Sequence, residues 1–527
     1  MSVPSIKELI QSRLLLFGIL FFVLNSFYSY IFYQVNSSKI FIVLIGVSVI
    51  AYFYEILFPR DMDKKIPWKY ILLVSLPLVA TMPGYFWYWG GYNYNFDYEL
   101  TANLVLIVWV AYMVRVVQDQ DDLTPFLVLI AVTVIYVGLW AFLEKIGYHP
   151  EKWDSIPPAR VKSTFGNINY FAGFLVVITP LMLSQALPLI KGDQKKVTQF
   201  TTLNGFFFVT FFIACICLYL TATRAAIAAG MVALAAAAAL YLLIFLPKKT
   251  QRSLIVLAVL VIMVGVLSLF GLHFFTDLLE GTRFGRLLTL QGWTSRIVSW
   301  QAAYDSILES PWIGYGLGSS YNLYFLFTRP DARLLSNEHS FNHVHSEPLE
   351  FFQEAGFFGF ILFLVFWIYL VIGLFRVVFS SSGNPFLKKL AIGVLAGILG
   401  YHAHSLFSVA PRMMVMKLPL FTLIGLGFII FKLTNKSELD DQQESASINK
   451  QAFIKERVQM VVISLLTILC IGLIIWNVSK LYLQIPWSPG IKIPLFVAII
   501  LGFVSPLIWF IKKSGFALQP SLGQRAT

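Results

Sequence analysis

Long apolar runs separated by short polar connections dominate the chain. A helix needs about 20 mostly apolar residues to cross a bilayer, and fourteen stretches come close to that requirement. They cover residues 14–33, 39–58, 70–88, 99–117, 124–143, 170–190, 203–221, 224–246, 253–272, 352–379, 387–408, 413–432, 458–480 and 492–511. The pattern predicts an all-α polytopic membrane protein with about 14 transmembrane helices, or 12 to 14 because the weakest run is interrupted by Pro77 and Pro83.

The composition supports this prediction. Apolar residues make up 58% of the 527 residues before glycine is counted, and charged residues make up 13%. Soluble proteins average about 45–50% and about 25%, and they avoid the large exposed apolar surface that this chain would have in water. The composition excludes a soluble enzyme and a disordered chain. The three cysteines all lie in apolar runs and exclude a disulfide framework.

The net charge of +12 is unevenly distributed over the predicted topology. If the N-terminus is cytoplasmic, the basic connections alternate as the positive-inside rule requires, which predicts both termini in the cytoplasm. Lysines concentrate on that side, whereas arginines divide almost evenly between the two sides. The lysine excess is therefore a topology signal, and no nucleic-acid partner is expected. The outward arginines need another explanation, and guanidinium groups suit phosphate and carboxylate.

The connections divide the chain into six predicted segments. They are N-terminal helices (1–150), core helices (151–272), a large extracytoplasmic loop (273–351), further core helices (352–432), a polar cytoplasmic linker (433–457) and a C-terminal helix pair with a tail (458–527).

Polar residues collect at the predicted outer helix ends. Arg160 and the turn residues Gly166, Asn167 and Asn169 precede one span. This segment either supplies amide donors to a ligand or is a simple helix entry capped by Asn169. Arg224 lies in a very short turn between two spans, where it either binds a ligand or extends into the membrane interface.

The large loop contains a predicted amphipathic helix with Arg296 in its first turn. Apolar residues at 297, 300, 304, 307 and 308 form one helical stripe. The glycine-rich stretch 311–319 follows. It lacks a preceding strand and a Walker lysine, so a nucleotide site is rejected, and the glycines indicate close backbone approach.

Histidines cluster near the end of this loop. Within the predicted outer region lie His339, His343, His345, His402 and His404, with Arg412 in the adjacent turn. A metal site, scattered interfacial histidines and a general base beside phosphate-binding arginines are three alternatives. A lipid-linked pyrophosphate would explain arginines and a base together, because its phosphates need bidentate donors.

One motif resembles the signature of bacterial O-antigen ligases. His345 and Ser346 are followed by nine residues and then by Gly356-Phe-Phe-Gly359, with Glu354 just before the first glycine. Other similar elements occur in the expected order: the 165–169 element after Arg160, Thr223-Arg224, Arg296 with Trp300, and the turn from Pro311 to Gly316. Together they cover roughly residues 150–430. Ser346 replaces the commoner Asn or Gln, and fourteen spans exceed the roughly twelve expected.

The resemblance implies a GT-C-like, inverting glycosyltransferase in the bacterial cytoplasmic membrane. Its donor would be a glycan on undecaprenyl pyrophosphate, and its acceptor a hydroxyl of lipid A-core, a polysaccharide or a protein, on the outer side. No metal or other cofactor is expected. Arg224 and Arg296 would hold the pyrophosphate, and His345 would activate the acceptor. The predicted substrate-binding residues are Arg160, Asn167, Asn169, His343, Glu354 and Arg412, with His343 competing with His345 as the base.

Two alternatives accompany this prediction. A protein O-oligosaccharyltransferase would share the donor chemistry and differ in its acceptor. A lipid-linked oligosaccharide flippase would be expected to have two similar halves, short loops and charges in the membrane interior, which the sequence does not show.

Overall fold

A computed structural model describes residues 14–26, 67–88, 96–148, 159–188, 190–191, 196–197, 201–245, 294–328, 343–380, 384–408 and 412–440, with the single positions 46 and 50. Most of these residues lie in helices, in agreement with the predicted all-α membrane fold. A short antiparallel pair, β1 (Ile190–Lys191) with β2 (Lys196–Val197), is a small departure from the all-α prediction.

The described helices, in chain order, are α1 (Leu15–Ser26), α2 (Trp68–Ala80), α3 (Met82–Trp87), α4 (Phe96–Val116), α5 (Leu123–Lys145), α6 (Ile168–Ala186), α7 (Thr202–Thr221), α8 (Arg224–Phe245), α9 (Thr294–Glu309), α10 (Ser320–Phe327), α11 (Glu347–Phe379), α12 (Pro385–Ser405) and α13 (Met414–Asp440). A 3-10 turn, Ser163–Phe165, precedes α6.

Nine predicted spans are confirmed as helices within this part of the chain. With α2 and α3 counted together, nine described helical segments are long and apolar enough to cross a membrane. Span 14–33 is described only over α1. Spans 39–58 (apart from positions 46 and 50), 253–272, 458–480 and 492–511 lie outside the described residues. The total of fourteen and the six-segment division stay predictions.

Besides α11, which begins at Glu347, ahead of its predicted start at 352, two elements differ from the prediction. The proline-containing third run forms two helices that divide at Thr81, and Pro83 lies in the first turn of α3, where a missing N–H is tolerated. The other difference is at the end of α13, which continues to Asp440 although the span was predicted to end at 432. No glycine or proline interrupts residues 432–440, so the helix continues into the predicted linker.

The centre of the bundle is built on α6, which packs against α7, α8, α12 and α13. Glycine permits close backbone approach between α6 and α12. A Cβ atom at Gly397 of α12 would lie 2.6 Å from the carbonyl oxygen of Val177 on α6. Around this centre, α4 packs on α13 and α2 packs on α11.

α11 is broken near its beginning. Gly356 has φ 63° and ψ −170°, which separates a first segment, the half-helix 347–355, from the remainder of α11. Residues 311–318, the glycine turn, fill the break. The amide nitrogen of Phe357 donates to the carbonyl of Pro311 at 2.7 Å, and that of Gly316 donates to the carbonyl of Glu354 at 2.8 Å. Backbone groups freed by the break are thus hydrogen-bonded, as a buried environment requires.

Candidate active site

The site lies where several helix ends meet, and its first part is the short turn between α7 and α8. Ala222 in this turn has a left-handed backbone with φ 48°. The Nε of Arg160 donates to the carbonyl of Thr221 at 2.8 Å, and its Nη2 donates to the hydroxyl of Thr223 at 2.9 Å. Arg160 is thereby held beside Arg224, the first residue of α8.

The segment that carries Arg160 is anchored by a buried carboxylate. Glu144, at the end of α5, accepts hydrogen bonds from the amide nitrogens of Lys162 at 3.0 Å and Ser163 at 2.8 Å. The Ser163 hydroxyl donates to the carbonyl of Val137, and Phe165 is fully buried. Because the residues after Arg160 are fixed in the core, the position of this arginine is defined.

The entry to α6 corrects one detail of the sequence interpretation. The N-cap is Asn167, whose side-chain oxygen accepts a hydrogen bond from the amide nitrogen of Asn169 at 2.8 Å. Asn169, proposed above as the cap, is the donor because Asn167 has the extended backbone of an N-cap and Asn169 lies inside the helix. Substrate binding by either asparagine stays a prediction.

Three arginines from separate elements form an arginine cluster: Arg160 before α6, Arg224 at the start of α8, and Arg296 in the first turn of α9. Burial lowers the pKa of Arg160, and the neighbouring charge of Arg224 lowers it further. The same two causes, in the same order, lower the pKa of Arg296. The cluster therefore concentrates positive charge that an anionic ligand would stabilise.

α9 is a helix, as predicted, and its apolar stripe is not the face that the protein buries. Ile297, Tyr304 and Leu308 of the apolar stripe are 47%, 57% and 61% exposed. The buried face consists of Val298, Ser299, Ala302, Ala303 and Ser306. Small side chains allow α9 to pack closely on α10 and α11, and this packing outweighs the apolar periodicity.

Two histidines at the start of α11 occupy opposite electrostatic environments. His345 has a left-handed backbone with φ 63°. Burial lowers its pKa to about 4, and the positive charge of Arg296 contributes. His343 differs: burial opposes its protonation, but the carboxylate of Glu350, 2.7 Å from its Nδ1, raises its pKa. His345 thus belongs with the arginine cluster and His343 with the carboxylates of α11.

Arg412 joins several of these carboxylates. Its Nε lies 2.8 Å from Glu347 and its Nη1 lies 2.8 Å from Glu354. The other oxygen of Glu354 accepts from the amide nitrogen of Gly318 at 2.7 Å. Arg412 is 4% exposed and Glu354 is fully buried. Both were expected to bind substrate. The two side chains bind each other, and Glu354 also binds the glycine turn, because burial of either charge requires a partner. Substrate binding by either residue stays a prediction.

Two polar residues of the half-helix were not among the site residues predicted from the sequence. Glu350 binds His343, and its second oxygen accepts from the amide nitrogen of Val344 at 3.0 Å. Gln353 donates to the hydroxyl of Ser306 on α9 at 2.7 Å and accepts from the hydroxyl of Ser320 on α10 at 2.8 Å. Their spacing from Glu347 and Glu354 along one helix was the available signal.

The glycine turn makes the close backbone approach predicted from its sequence. A Cβ atom at Gly314 would lie 2.4 Å from the carbonyl carbon of Glu354, and one at Gly316 would lie 2.5 Å from the amide nitrogen of Tyr85. Opposite them, a Cβ atom at Gly84 of α3 would lie 2.5 Å from the carbonyl oxygen of Gly314.

These contacts explain the spacing of the motif that runs from His345 to Gly359. The nine residues between Ser346 and Gly356 are the half-helix itself. Gly356 forms the break, and a Cβ atom at Gly359 would lie 2.8 Å from the carbonyl oxygen of Ala80 on α2. The spacing therefore sets the distance between His345 and the docked glycine turn.

Two of the remaining predicted histidines, His402 and His404, lie in the last turn of α12. His404, near the end of α12, is 1% exposed and packs beside Gly173 of α6. His402 packs on the ring of Trp367, with ring centroids 4.4 Å apart. His339 lies outside the described residues. Within the described ranges, no group of three His, Cys, Asp or Glu side chains has the geometry to hold a metal ion.

The fold and the site together define a polytopic membrane protein with an arginine and histidine cluster at one end of its helical bundle. Residues 209–364 match the protein-family model described as O-antigen ligase. This match confirms the predicted resemblance to the O-antigen ligase superfamily over a part of the chain that includes Arg224, Arg296 and His345. The family supports a glycosyl-transferring membrane enzyme of ligase or polymerase type in the bacterial inner membrane. No curated protein matches the chain.

Proposed function

We propose that the protein transfers a glycan from undecaprenyl pyrophosphate to an acceptor hydroxyl at the outer side of the bacterial cytoplasmic membrane, with both termini in the cytoplasm. The observation that carries this proposal is the convergence of Arg160 and Arg296 on Arg224, with His345 next to Arg296. The family match over residues 209–364 supports the reaction class.

The arginine cluster is suited to the pyrophosphate of the donor. Each guanidinium offers a planar pair of donors that matches two phosphate oxygens. Burial, and then the charge of Arg224, lower the pKa of Arg160 and Arg296, and a bound pyrophosphate would offset the repulsion from Arg224. As the glycosidic bond breaks, negative charge grows on the pyrophosphate, and the arginines stabilise that charge. In this proposal they supply the positive charge that a metal would otherwise provide.

His345 is suited to activate the acceptor. The pKa of His345, about 4 in the free protein, leaves the imidazole neutral at pH 7 and able to accept a proton. A bound pyrophosphate opposes the effect of Arg296 and raises this pKa toward the value that general-base catalysis favours. The base therefore becomes stronger when the donor is present.

The proposed reaction is one displacement at the anomeric carbon. The acceptor O–H bond breaks and its proton passes to His345. The acceptor oxygen forms a bond to the anomeric carbon from the side opposite the pyrophosphate. The bond from that carbon to the pyrophosphate oxygen breaks, and its electron pair stays on the pyrophosphate. A single displacement inverts the anomeric configuration.

Transfer by the purified full-length protein tests this proposal. The assay contains an undecaprenyl-pyrophosphate glycan and, separately, lipid A-core, a polysaccharide and a protein acceptor, without added metal or nucleotide. Arg224→Gln and Arg296→Gln should abolish transfer. Arg376→Gln, an exposed arginine near the far end of α11, is the matched control and should transfer as the unmodified protein does. Absence of transfer to every acceptor, or full activity in both cluster variants, would refute the proposal.

A further inference from the structure

The turn that presents His345 is held in an unfavourable backbone conformation. His345 has φ 63°, in the left-handed region that residues with a Cβ atom rarely adopt. Such a conformation persists only where surrounding contacts determine it, and it is often found at functional sites. The contacts that fix residues 343–345 therefore bear on the function of His345.

One carboxylate fixes both residues that precede His345. The Oε1 atom of Glu350 lies 2.7 Å from the Nδ1 atom of His343, and its Oε2 atom accepts from the amide nitrogen of Val344 at 3.0 Å. Glu350 lies one helical turn after Ser346, and its own amide nitrogen donates to the carbonyl of Ser346 at 2.9 Å. Glu350 thus makes contacts on both sides of His345 in the sequence.

Glu350 is itself held rigidly. Its side chain is 2% exposed, and the Nε atom of Arg412 lies 3.7 Å from its Oε1 atom. Arg412 also binds Glu347 and Glu354, at either end of the same half-helix. A carboxylate fixed in this way can hold a strained turn, because displacing it would leave buried charges without partners.

The charges around His343 keep this contact strong. They come from Glu350 on α11, Arg412 before α13, Glu99 on α4, and the neighbouring His345. Glu99 is in turn paired with Lys417 of α13. Their combined effect raises the pKa of His343 in spite of its burial, which favours the protonated imidazole opposite the carboxylate of Glu350. A hydrogen bond between two charged groups is stronger than one between neutral groups.

We infer that Glu350 is a positioning residue for the transfer reaction: it clamps His343 and Val344, and so holds the imidazole of His345 beside the arginine cluster. Glu350 acts through these two residues and does not itself touch the substrate. The inference rests on the proposed function. It assigns to His343 the task of a clamped partner rather than that of the base.

Steady-state kinetics of three variants of the full-length protein test this inference. Glu350→Ala removes both contacts, Glu350→Gln keeps an oxygen that can accept from Val344, and Glu309→Gln is a control at an exposed glutamate of α9. Glu350→Ala should lower kcat by about 100-fold or more, the range of general-base effects, with KM for the donor nearly unchanged. Glu350→Gln should recover about tenfold of this loss, as expected for one retained hydrogen bond. Glu309→Gln should match the unmodified protein.

Binding of farnesyl diphosphate, used as a probe, separates positioning from general damage. Glu350→Ala and Glu350→Gln should both bind it as the unmodified protein does. If Glu350→Ala does not fold, the kcat and probe binding of Glu350→Gln decide the question. The inference is overturned if Glu350→Ala has the same kcat as the unmodified protein. It is also overturned if both variants lose kcat and probe binding to an equal extent. Absence of transfer by the unmodified protein would instead refute the proposed function, and this inference with it.

Discussion

The break in α11 can be tested by replacing Gly356 with alanine. Gly356 has φ 63° and ψ −170°, a region that is almost restricted to glycine, and occupying it with another residue costs about 1–3 kcal/mol. The new Cβ atom would also lie 2.4 Å from the amide nitrogen of Ile313 and 2.4 Å from the carbonyl carbon of Trp312. Relieving such contacts costs about 1–3 kcal/mol more. We expect a total loss of about 2–6 kcal/mol.

The matched control is Gly425→Ala in α13. The three atoms nearest to its Cβ atom would all belong to the flexible side chain of Met113, with Sδ at 3.1 Å the nearest. Alanine also has a higher helix propensity than glycine, by about 1 kcal/mol. Thermal unfolding of both purified variants in detergent measures the difference. Gly356→Ala should unfold at a clearly lower temperature and lose glycan transfer, because the glycine turn can no longer dock against the half-helix. Equal unfolding temperatures for the two variants would refute this account of the break.

Two further predictions concern α9 and His345. Ala303→Leu should destabilise the protein by about 1–3 kcal/mol because Ala303 is 1% exposed. Tyr304→Ser, at a position 57% exposed, should change stability by about 0.5 kcal/mol or less. Thermal unfolding measures both variants, and a larger loss for Tyr304→Ser than for Ala303→Leu would show that the apolar stripe is the buried face. For His345, lowering the pH through its pKa of about 4 protonates the base, so the acid limb of kcat/KM, which reports the free protein, should lie well below the usual 6.5. Because the bound pyrophosphate raises this pKa, the acid limb of kcat should lie at higher pH, and coincident limbs would contradict the proposed coupling.

Much of the helical framework could be predicted because its signal is local. Runs such as 203–221 and 387–408 are about as long as a bilayer is thick, and the corresponding helices are α7 and α12. The glycine turn was also interpreted correctly, since closely spaced glycines indicate close backbone approach wherever they dock. The half-helix was not foreseen, because its break depends on the glycine turn that fills it.

The candidate site was predicted less completely. Arg224, Arg296 and His345 were selected from the sequence, and the structure connects them through electrostatic contacts. Glu350 and Gln353 were missed because a glutamate or glutamine at a helix start is usually a solvated residue. Only their burial and partners distinguish them.

The sequence by itself determined that the chain crosses a membrane, approximately where nine of its spans lie, and which arginines and histidine are candidates for chemistry. These properties depend on residue type and on spacing along one element. The tertiary structure decided which face of α9 is buried, that Arg412 and Glu354 bind each other, and that Glu350 holds His343. Those outcomes depend on contacts between separate elements, and a buried charge takes whichever partner the packing of those elements brings within reach.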